Sequence, residues 1–348
     1  MKIVIAGGGT GGHVFPAIAL AQGIKRLSAQ HEVLFVGTEK GIEARTVPAS
    51  GFRLQTIEIS GFKEKGLLKA FVVFLRLPFS LFESIRILRQ FRADGVVGVG
   101  GYASGPVLLA AWLLGIPRAI LEQNSIPGFT NRMLAHFVSH IFGAFECLRA
   151  HFPARKLQLL GNPLRDSFRF QGREDPDSIL ILGGSLGARP LNVLLPPAMA
   201  QVGSIQVIHQ TGALEREKVE QAYRELGVAA EVVSFISDMP LAYARAKLVI
   251  ARSGAMTCSE LTAMGVPAIL IPFPQAADQH QLYNAQELAQ AGAAIVMEQN
   301  SLNPETLAGL IKHLFLNTQT LETMAHKSRQ LGKPNAADAI AKKVIEIC

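Results

Sequence analysis

Short aliphatic and β-branched runs alternate along the chain with longer stretches of helical spacing. KIVIA (2–6), EVLFV (32–36), RLQTIEI (53–59), GVVGV (95–99) and RAIL (118–121) predict strands, with helices near 14–28, 66–91 and 103–114. The strands are apolar throughout rather than alternating, which predicts parallel strands buried on both faces by helices. The pattern then restarts. SILIL (178–182), IQVIH (205–209), EVVSF (231–235), KLVIA (247–251) and AILI (268–271) predict a second set of strands, and 336–348 predicts a closing helix. Each set opens with a strand that runs into glycines and then a helix. The fold class predicted is α/β, with two Rossmann-like parallel-sheet halves joined through the Pro-, Gly- and charge-rich segment 161–177.

Composition agrees with two domains. A chain of 348 residues with 49% apolar content supports sizeable cores and excludes wholesale disorder. Cys147, Cys258 and Cys348 lie far apart with no CxxC pair, which argues against a disulfide framework or a structural zinc site. A net charge of +7 suits anionic partners such as nucleotides or phospholipid headgroups. The first apolar run is too short for a signal peptide. The greasiest region, 67–82, is interrupted by Lys69, Arg76 and Pro78, short of the ~20 apolar residues a membrane span needs. A cytoplasmic, non-integral protein is expected.

Several strand ends carry chemistry. GGGTGGH (7–13) satisfies G-x-G-x-x-G through Gly7, Gly9 and Gly12 and opens a helix, the arrangement that offers backbone amides to phosphate. A Walker loop would need Lys where His13 stands. A dinucleotide fold would need an acidic residue after the second strand, for which Glu39 is the candidate. His13, where loop meets helix, is placed to stay neutral and act as a general base; a helix-cap histidine is the competing reading. GGYASGP (100–106) lets a ligand or a neighbouring loop approach closely. EQNSIPG (122–128) puts Glu122, Gln123 and Asn124 at a strand's C-terminal end, where ligands bind in open α/β sheets, or where turn chemistry gathers.

In the second half, GGSLGA (183–188) is a further phosphate-loop candidate with Ser185 as hydroxyl donor. Gly183, Ser185 and Gly187 also spell the nucleophile elbow of a serine hydrolase, but the upstream signals are nucleotide-like. ARSGAMTCSE (251–260) starts a helix in which Glu260 could accept both hydroxyls of a ribose, or simply be solvated. PFPQAADQHQLYNA (272–285) offers Asp278, Gln279, His280, Gln281 and Asn284 to a sugar, or is a capped helix start. No metal-ligand spacing is present. Between Phe62 and Arg92, phenylalanines and leucines are edged by Lys63, Lys65, Lys69, Arg76, Arg86, Arg89 and Arg92. That composition suits contact with an anionic membrane surface better than a core helix with a basic outer face.

GGGTGGHVFPAIALA, SGF, GVGGYASGP, EQNSIPGFTN, GNPLR, GGSLGAR, FISDM, RSGAMTCSE and PFPQAADQHQLYNA occur in that order from about residue 2 to 340. Together they resemble the MurG family of N-acetylglucosaminyltransferases, GT-B enzymes of glycosyltransferase family 28. The resemblance implies two Rossmann-like domains facing a cleft: an acceptor and membrane-contact domain over 1–162, a UDP-GlcNAc-binding domain over 163–334, and a C-terminal helix, 335–348, packing back on the first. It implies inverting transfer of GlcNAc from UDP-GlcNAc to the C4 hydroxyl of MurNAc in lipid I, giving lipid II at the cytoplasmic face of the cell membrane.

Residue by residue, it implies that Thr10, Gly11 and Gly12 line the sugar and acceptor side, with His13 the leading base. Asn124 contacts the donor sugar, and Arg165 and Ser185 hold the diphosphate. Ile236 meets uracil through its backbone. Ala255, Met256, Thr257, Cys258, Ser259 and Glu260 wrap the nucleoside, with Glu260 on the ribose, and Gln281 binds GlcNAc hydroxyls. The family often has His before Glu-Gln-Asn; Leu121 stands there, which leaves His13 and Glu122 as the catalytic candidates. Gln275 and Gln279 replace the common His and Asp of the proline loop. No cofactor or metal is expected. The expected partners are UDP-GlcNAc, lipid I, the anionic inner-leaflet surface through 62–92, and cell-wall synthesis or division proteins; nucleic acid is not among them. A UDP-GlcNAc 2-epimerase, or another GT-B transferase acting on a lipid acceptor, is the alternative.

Overall fold

A computed structural model describes the backbone of residues 1–59, 67–170, 172, 176 and 178–348, and the side chains of these except 67–76. The chain forms two compact units, Met1–Asp166 with Pro334–Cys348, and Ser167–Lys333. Lys63, Lys65 and Phe62 of the basic apolar segment lie outside the described residues.

In the first unit, strands β1 (Lys2–Ala6), β2 (Glu32–Gly37), β3 (Arg53–Thr56), β4 (Gly95–Gly98), β5 (Arg118–Glu122), β6 (His140–Gly143) and β7 (Leu157–Leu159) form one sheet. Its order is β3-β2-β1-β4-β5-β6-β7, and every pairing is parallel. Helices α1 (Gly11–Leu27), α2 (Glu43–Ala49), α3 (Leu67–Phe91), α4 (Ser104–Leu113) and α5 (Phe129–Leu134) follow successive strands.

The sheet is buried on both faces, as continuous apolar strands require. Ile3, Ile5, Phe35 and Val97 pack on one side with Leu20 and Ile24 of α1, and Val4, Leu34, Val96 and Ile120 on the other with Leu88 of α3 and Val107 of α4. Each such side chain contributes roughly 1.5–3 kcal/mol. The last helix of the chain, 336–347, joins the first of these cores through Ile340 and Val344. Its backbone comes so close to α1 that a Cβ on Gly23 would stand 2.8 Å from the Ala337 carbonyl oxygen. Arg26 ties it further, 2.6 Å from Asp338 and 2.7 Å from Asp166.

The second unit repeats the plan. Strands β8 (Ser178–Leu182), β9 (Gln206–Gln210), β10 (Ala230–Val233), β11 (Ala246–Ala251), β12 (Ala268–Leu270) and β13 (Ala294–Val296) pair in parallel in the order β10-β9-β8-β11-β12-β13. Around them lie α6 (Arg189–Val202), α7 (Arg216–Glu225), α8 (Met239–Arg245), α9 (Ala255–Met264), α10 (His280–Gln290), α11 (Pro304–Leu316) and α12 (Thr318–Leu331), with α13 (Ala336–Ile347) the helix already placed on the first unit. Strand order reverses between β1 and β4 and between β8 and β11, the positions where open α/β sheets hold ligands beyond the strands' C-terminal ends. Both glycine loops, after β1 and after β8, stand there. No helix among the described residues is long and apolar enough to cross a membrane.

Candidate functional site

In the first unit the loop after β1 is built against the loop after β4. Gly7, Gly8 and Gly9 all have positive φ, at 140°, 152° and 89°. A Cβ on Gly7 would collide with the Gly100 carbonyl, and one on Gly101 with the Gly8 carbonyl. Gly101 of GGYASGP therefore serves the neighbouring loop, and Gly100 makes room for His13. Ser104 Oγ fixes the pair, donating to the Ala6 carbonyl at 2.7 Å and accepting from Gly100 N–H at 3.1 Å.

Beneath them lies Glu43, only 1% exposed. It accepts from Gly9 N–H at 2.7 Å and from the Thr38 amide and hydroxyl at 3.0 and 2.8 Å. A Cβ on Gly8, Gly37 or Gly41 would strike this side chain. Sequence reasoning missed Glu43 and offered Glu39 for a dinucleotide ribose. The carboxylate after β2 serves the glycine loop instead, and the glycines at 37 and 41 were the signal that something packs tightly there. Glu43→Ala leaves three donors without their acceptor, at about 1–3 kcal/mol for each one that stays buried. A lowered urea midpoint is the expected result, and an unchanged one would contradict this role.

His13 is half-buried in the first turn of α1. Its Nδ1 is 3.2 Å from Thr10 Oγ1, and its Nε2 lies along Gly100, where a Cβ would approach to 2.9 Å. Thr10, Gly11, Gly12 and His13 thus come together at the N-terminal, electropositive end of α1.

Glu122 requires a correction. It is 2% exposed, and its oxygens accept from Asn124 N–H (3.0 Å), Gly128 N–H (3.1 Å) and Asn131 Nδ2 (2.9 Å). Burial pushes its carboxyl above the ordinary range, against the pull of these bonds. A carboxylate enclosed by its own loop has no path to a substrate proton, so Glu122 organises residues 124–131 and is not catalytic. Asn124 is partly committed to the same task, since its side chain also bonds Glu122. Leu121 is fully buried in β5. Arg165 is exposed and belongs to the first unit, although the boundary expected at 162/163 assigned it to the second.

In the second unit, Gly184 (φ 94°) and Gly187 (φ 77°) shape the loop between β8 and α6, and Ser185 at its tip is exposed. Amides near a helix N-terminus suit phosphate. The Ile236 amide donates to Gln210 Oε1 at 2.9 Å, so among the described residues its carbonyl is the backbone group left for a ligand.

Along α9, Glu260 is half-buried, and its Oε2 accepts from Tyr243 O–H at 3.0 Å. Met256, Thr257 and Ser259 are also part-exposed, with Ser259 Oγ donating back to the Ala255 carbonyl at 2.9 Å. Cys258 is the exception: at 1% exposure it is buried in the core, and burial pushes its thiol well above its ordinary pKa.

The proline loop is fastened to the start of α9. Arg252, 7% exposed, donates to the Ile271 and Pro272 carbonyls, each at 3.1 Å. Ser253 Oγ donates to the Gln281 carbonyl at 2.7 Å, and Asn284 Nδ2 to the Ser253 carbonyl at 3.0 Å. Gln281 Oε1 accepts from Phe273 N–H at 2.9 Å, which turns its amide nitrogen into the group available for a sugar hydroxyl. Asp278 and Gln279 are consecutive non-glycine residues at φ 49° and 52°. Such conformations cost roughly 1–3 kcal/mol each and gather at ligand loops. The described residues contain no His, Cys, Asp or Glu group able to hold a metal.

On the surface of the first unit, α3 turns Leu88, Ser80 and Ser84 inward and leaves Phe79, Phe82, Arg86 and Arg89 exposed, with Arg92 exposed just past its end. α4, packed against α3, adds Trp112 and Leu113, and α5, packed against α4, adds Phe129 and Met133, each at least 46% exposed. Those four were not singled out in the sequence, because two apolar residues at a helix end look like ordinary core.

The Glycosyltransferase family 28 N-terminal domain matches residues 3–143, and its C-terminal domain matches 178–340. The chain is 47% identical over 356 aligned positions, covering 100% of it and 93% of the relative, to a Myxococcus xanthus protein. That protein is named UDP-N-acetylglucosamine--N-acetylmuramyl-(pentapeptide) pyrophosphoryl-undecaprenol N-acetylglucosamine transferase. Among solved structures it matches MurG of Acinetobacter baumannii with a TM-score of 0.85, at 35% identity over 99% of both chains. A Neisseria meningitidis UDP-GlcNAc 2-epimerase shares the fold alone, with a TM-score of 0.68 at 13% identity over 99% of this chain and 100% of that one.

Proposed function

The chain belongs to glycosyltransferase family 28, and we propose that it transfers GlcNAc from UDP-GlcNAc to the C4 hydroxyl of MurNAc in undecaprenyl-diphospho-MurNAc-pentapeptide (lipid I), giving lipid II. The observation that carries this reading is the full-length similarity to the Myxococcus xanthus transferase, at 47% identity against 13% for the Neisseria meningitidis UDP-GlcNAc 2-epimerase.

In this reading the acceptor oxygen attacks the anomeric carbon as the bond from that carbon to the β-phosphate oxygen breaks, with inversion. The hydroxyl proton passes to His13, UDP leaves, and no covalent sugar intermediate forms. The Ser185 loop and the amides at the start of α6 take the diphosphate charge, which removes the need for a divalent cation. The Ile236 carbonyl meets uracil, Glu260 the ribose hydroxyls, and Gln281 Nε2 a GlcNAc hydroxyl. The exposed aromatic face of α3, α4 and α5, edged by Arg86, Arg89 and Arg132, rests on anionic lipid at the cytoplasmic surface and so meets a lipid-anchored acceptor.

The test is UDP release in the presence of a lipid I analogue, with and without vesicles of anionic lipid. Acceptor-dependent release yielding a β-linked disaccharide, with the protein sedimenting on anionic but not neutral vesicles, is the expected result. Release without acceptor, or appearance of the C2 epimer of the donor, would replace this reading with the epimerase. Equal sedimentation on neutral vesicles would remove the membrane face from it.

A further inference from the structure

The sequence HQTG (209–212), at the end of β9, has no role in the reaction described above. It nevertheless occupies a telling place. Gln210 is the last residue of β9, paired with Leu182 at the end of β8 on one side and with Val233 at the end of β10 on the other. Its neighbours lead directly into two loops, the glycine loop at 183–188 and the segment at 234–236.

The side chain of Gln210 is 5% exposed and spans both loops. Nε2 donates to the Gly184 carbonyl at 3.0 Å, and Oε1 accepts from the Ile236 amide at 2.9 Å. The orientation of the amide is fixed by its partners, because a carbonyl only accepts and an N–H only donates. A primary amide is suited to this, carrying a donor and an acceptor on one rigid plane.

The surrounding backbone leaves little room for another arrangement. Thr211 N–H donates to the Val233 carbonyl at 3.0 Å, and Asn192 Nδ2 donates to the Thr211 carbonyl at 3.1 Å. A Cβ on Gly187 would collide with the Thr211 carbonyl, and one on Gly212 with the Leu186 carbonyl. The glycine loop therefore sits directly on the segment that Gln210 opens.

We propose that Gln210 is a positioning residue that holds both the diphosphate loop and the uracil-contacting loop, so that the two ends of UDP meet a site set by one buried amide. The proposal rests on the reading that this unit binds UDP. It adds that each loop is placed by its own half of that amide, the diphosphate loop through Nε2 and the uracil loop through Oε1. Gln210 touches no ligand; it fixes where Gly184 and Ile236 stand.

Two substitutions separate the halves of the amide. Gln210→Met keeps the length and loses both bonds, so affinity for UDP and for uridine falls together, by about 5–30-fold. Gln210→Glu, when ionised, still accepts from Ile236 N–H but meets the Gly184 carbonyl with a second acceptor. Its loss therefore falls on UDP and spares uridine. Protonation of that carboxyl restores an O–H donor toward Gly184, which makes the neutral acid a close mimic of the native amide. UDP affinity of Gln210→Glu relative to wild type should then rise as the pH is lowered from 8 to 6.

The measurement is calorimetric titration of UDP and of uridine into the full-length wild type and both variants across that pH range. A UDP-selective loss in Gln210→Glu that is rescued at low pH supports this placement of the two loops, and this variant carries the test if Gln210→Met does not fold. Unchanged affinities, or an equal pH-independent loss of both ligands in Gln210→Glu, would overturn it. Failure of the wild type to bind UDP would instead overturn the donor-site reading beneath it.

Discussion

Replacing His13 with alanine is expected to lower kcat by about 10²–10⁴-fold, the usual contribution of a positioned general base, while UDP affinity stays at the wild-type level. The split follows from location. His13 belongs to the first unit, at the start of α1, whereas Ser185, Ile236 and Glu260, assigned to UDP above, belong to the second. A base needs its ring held in one orientation. Thr10 Oγ1 at 3.2 Å from Nδ1 provides the hold, and Nε2 packs along the Gly100 backbone. Thr10→Val should reproduce a smaller part of the loss, because the imidazole keeps its place but loses its hydroxyl partner. Turnover and donor affinity are read separately, from single-turnover kinetics and UDP titration. If kcat for His13→Ala stays within tenfold of wild type, His13 is a cap residue and the proton goes elsewhere. Glu122 cannot replace it, enclosed as it is by Asn124, Gly128 and Asn131.

The uneven legibility of this chain has physical causes. Central strands such as Ile3–Ile5 and Ile179–Ile181 are buried on both faces, and that condition writes a continuous aliphatic run into the sequence. β6, β7 and β13, three or four residues long, were not among the expected strands. RLQTIEI was expected to be a strand throughout, but pairing stops at Thr56. Among the site residues, those at glycine-rich strand ends were legible because close backbone approach demands glycine. What a carboxylate does there was not. Glu122 looks like chemistry in the sequence and Glu43 attracts no notice there, yet both are spent on hydrogen bonds to nearby loops. Whether a side chain faces a ligand or its own backbone is decided by rotamer and burial, which spacing does not encode. Cys258 shows the same limit on a helix: the run 255–260 is contiguous, but only part of a turn can face one way.

Removing the carboxylate of Glu260 gives the largest expected effect on donor binding. Two hydrogen bonds from ribose hydroxyls to a charged acceptor are worth about 1.5–3 kcal/mol each. Glu260→Ala should therefore raise KM for UDP-GlcNAc by about 10²-fold or more, with a smaller change in kcat, since in the proposed reading these contacts are made in both ground and transition states. The carboxylate is not left to find its own orientation. Tyr243 is fully buried, with its ring 6.2 Å from that of Phe168 and its hydroxyl 3.0 Å from Glu260 Oε2. Burial, and then the Glu260 charge, push the phenol well above its ordinary pKa, so it remains a donor throughout the working range. Tyr243→Phe keeps the ring packing and removes only that donor, and a severalfold rise in KM is expected. The diagnostic readout is the ratio of affinities for UDP and 2′-deoxy-UDP. Wild type should prefer the ribonucleotide, Tyr243→Phe should prefer it less, and Glu260→Ala should not distinguish the two. A Glu260→Ala variant that kept the wild-type ratio would show that the ribose is held by other groups. The weaker affinity would then reflect damage to α9 rather than the loss of a ligand contact.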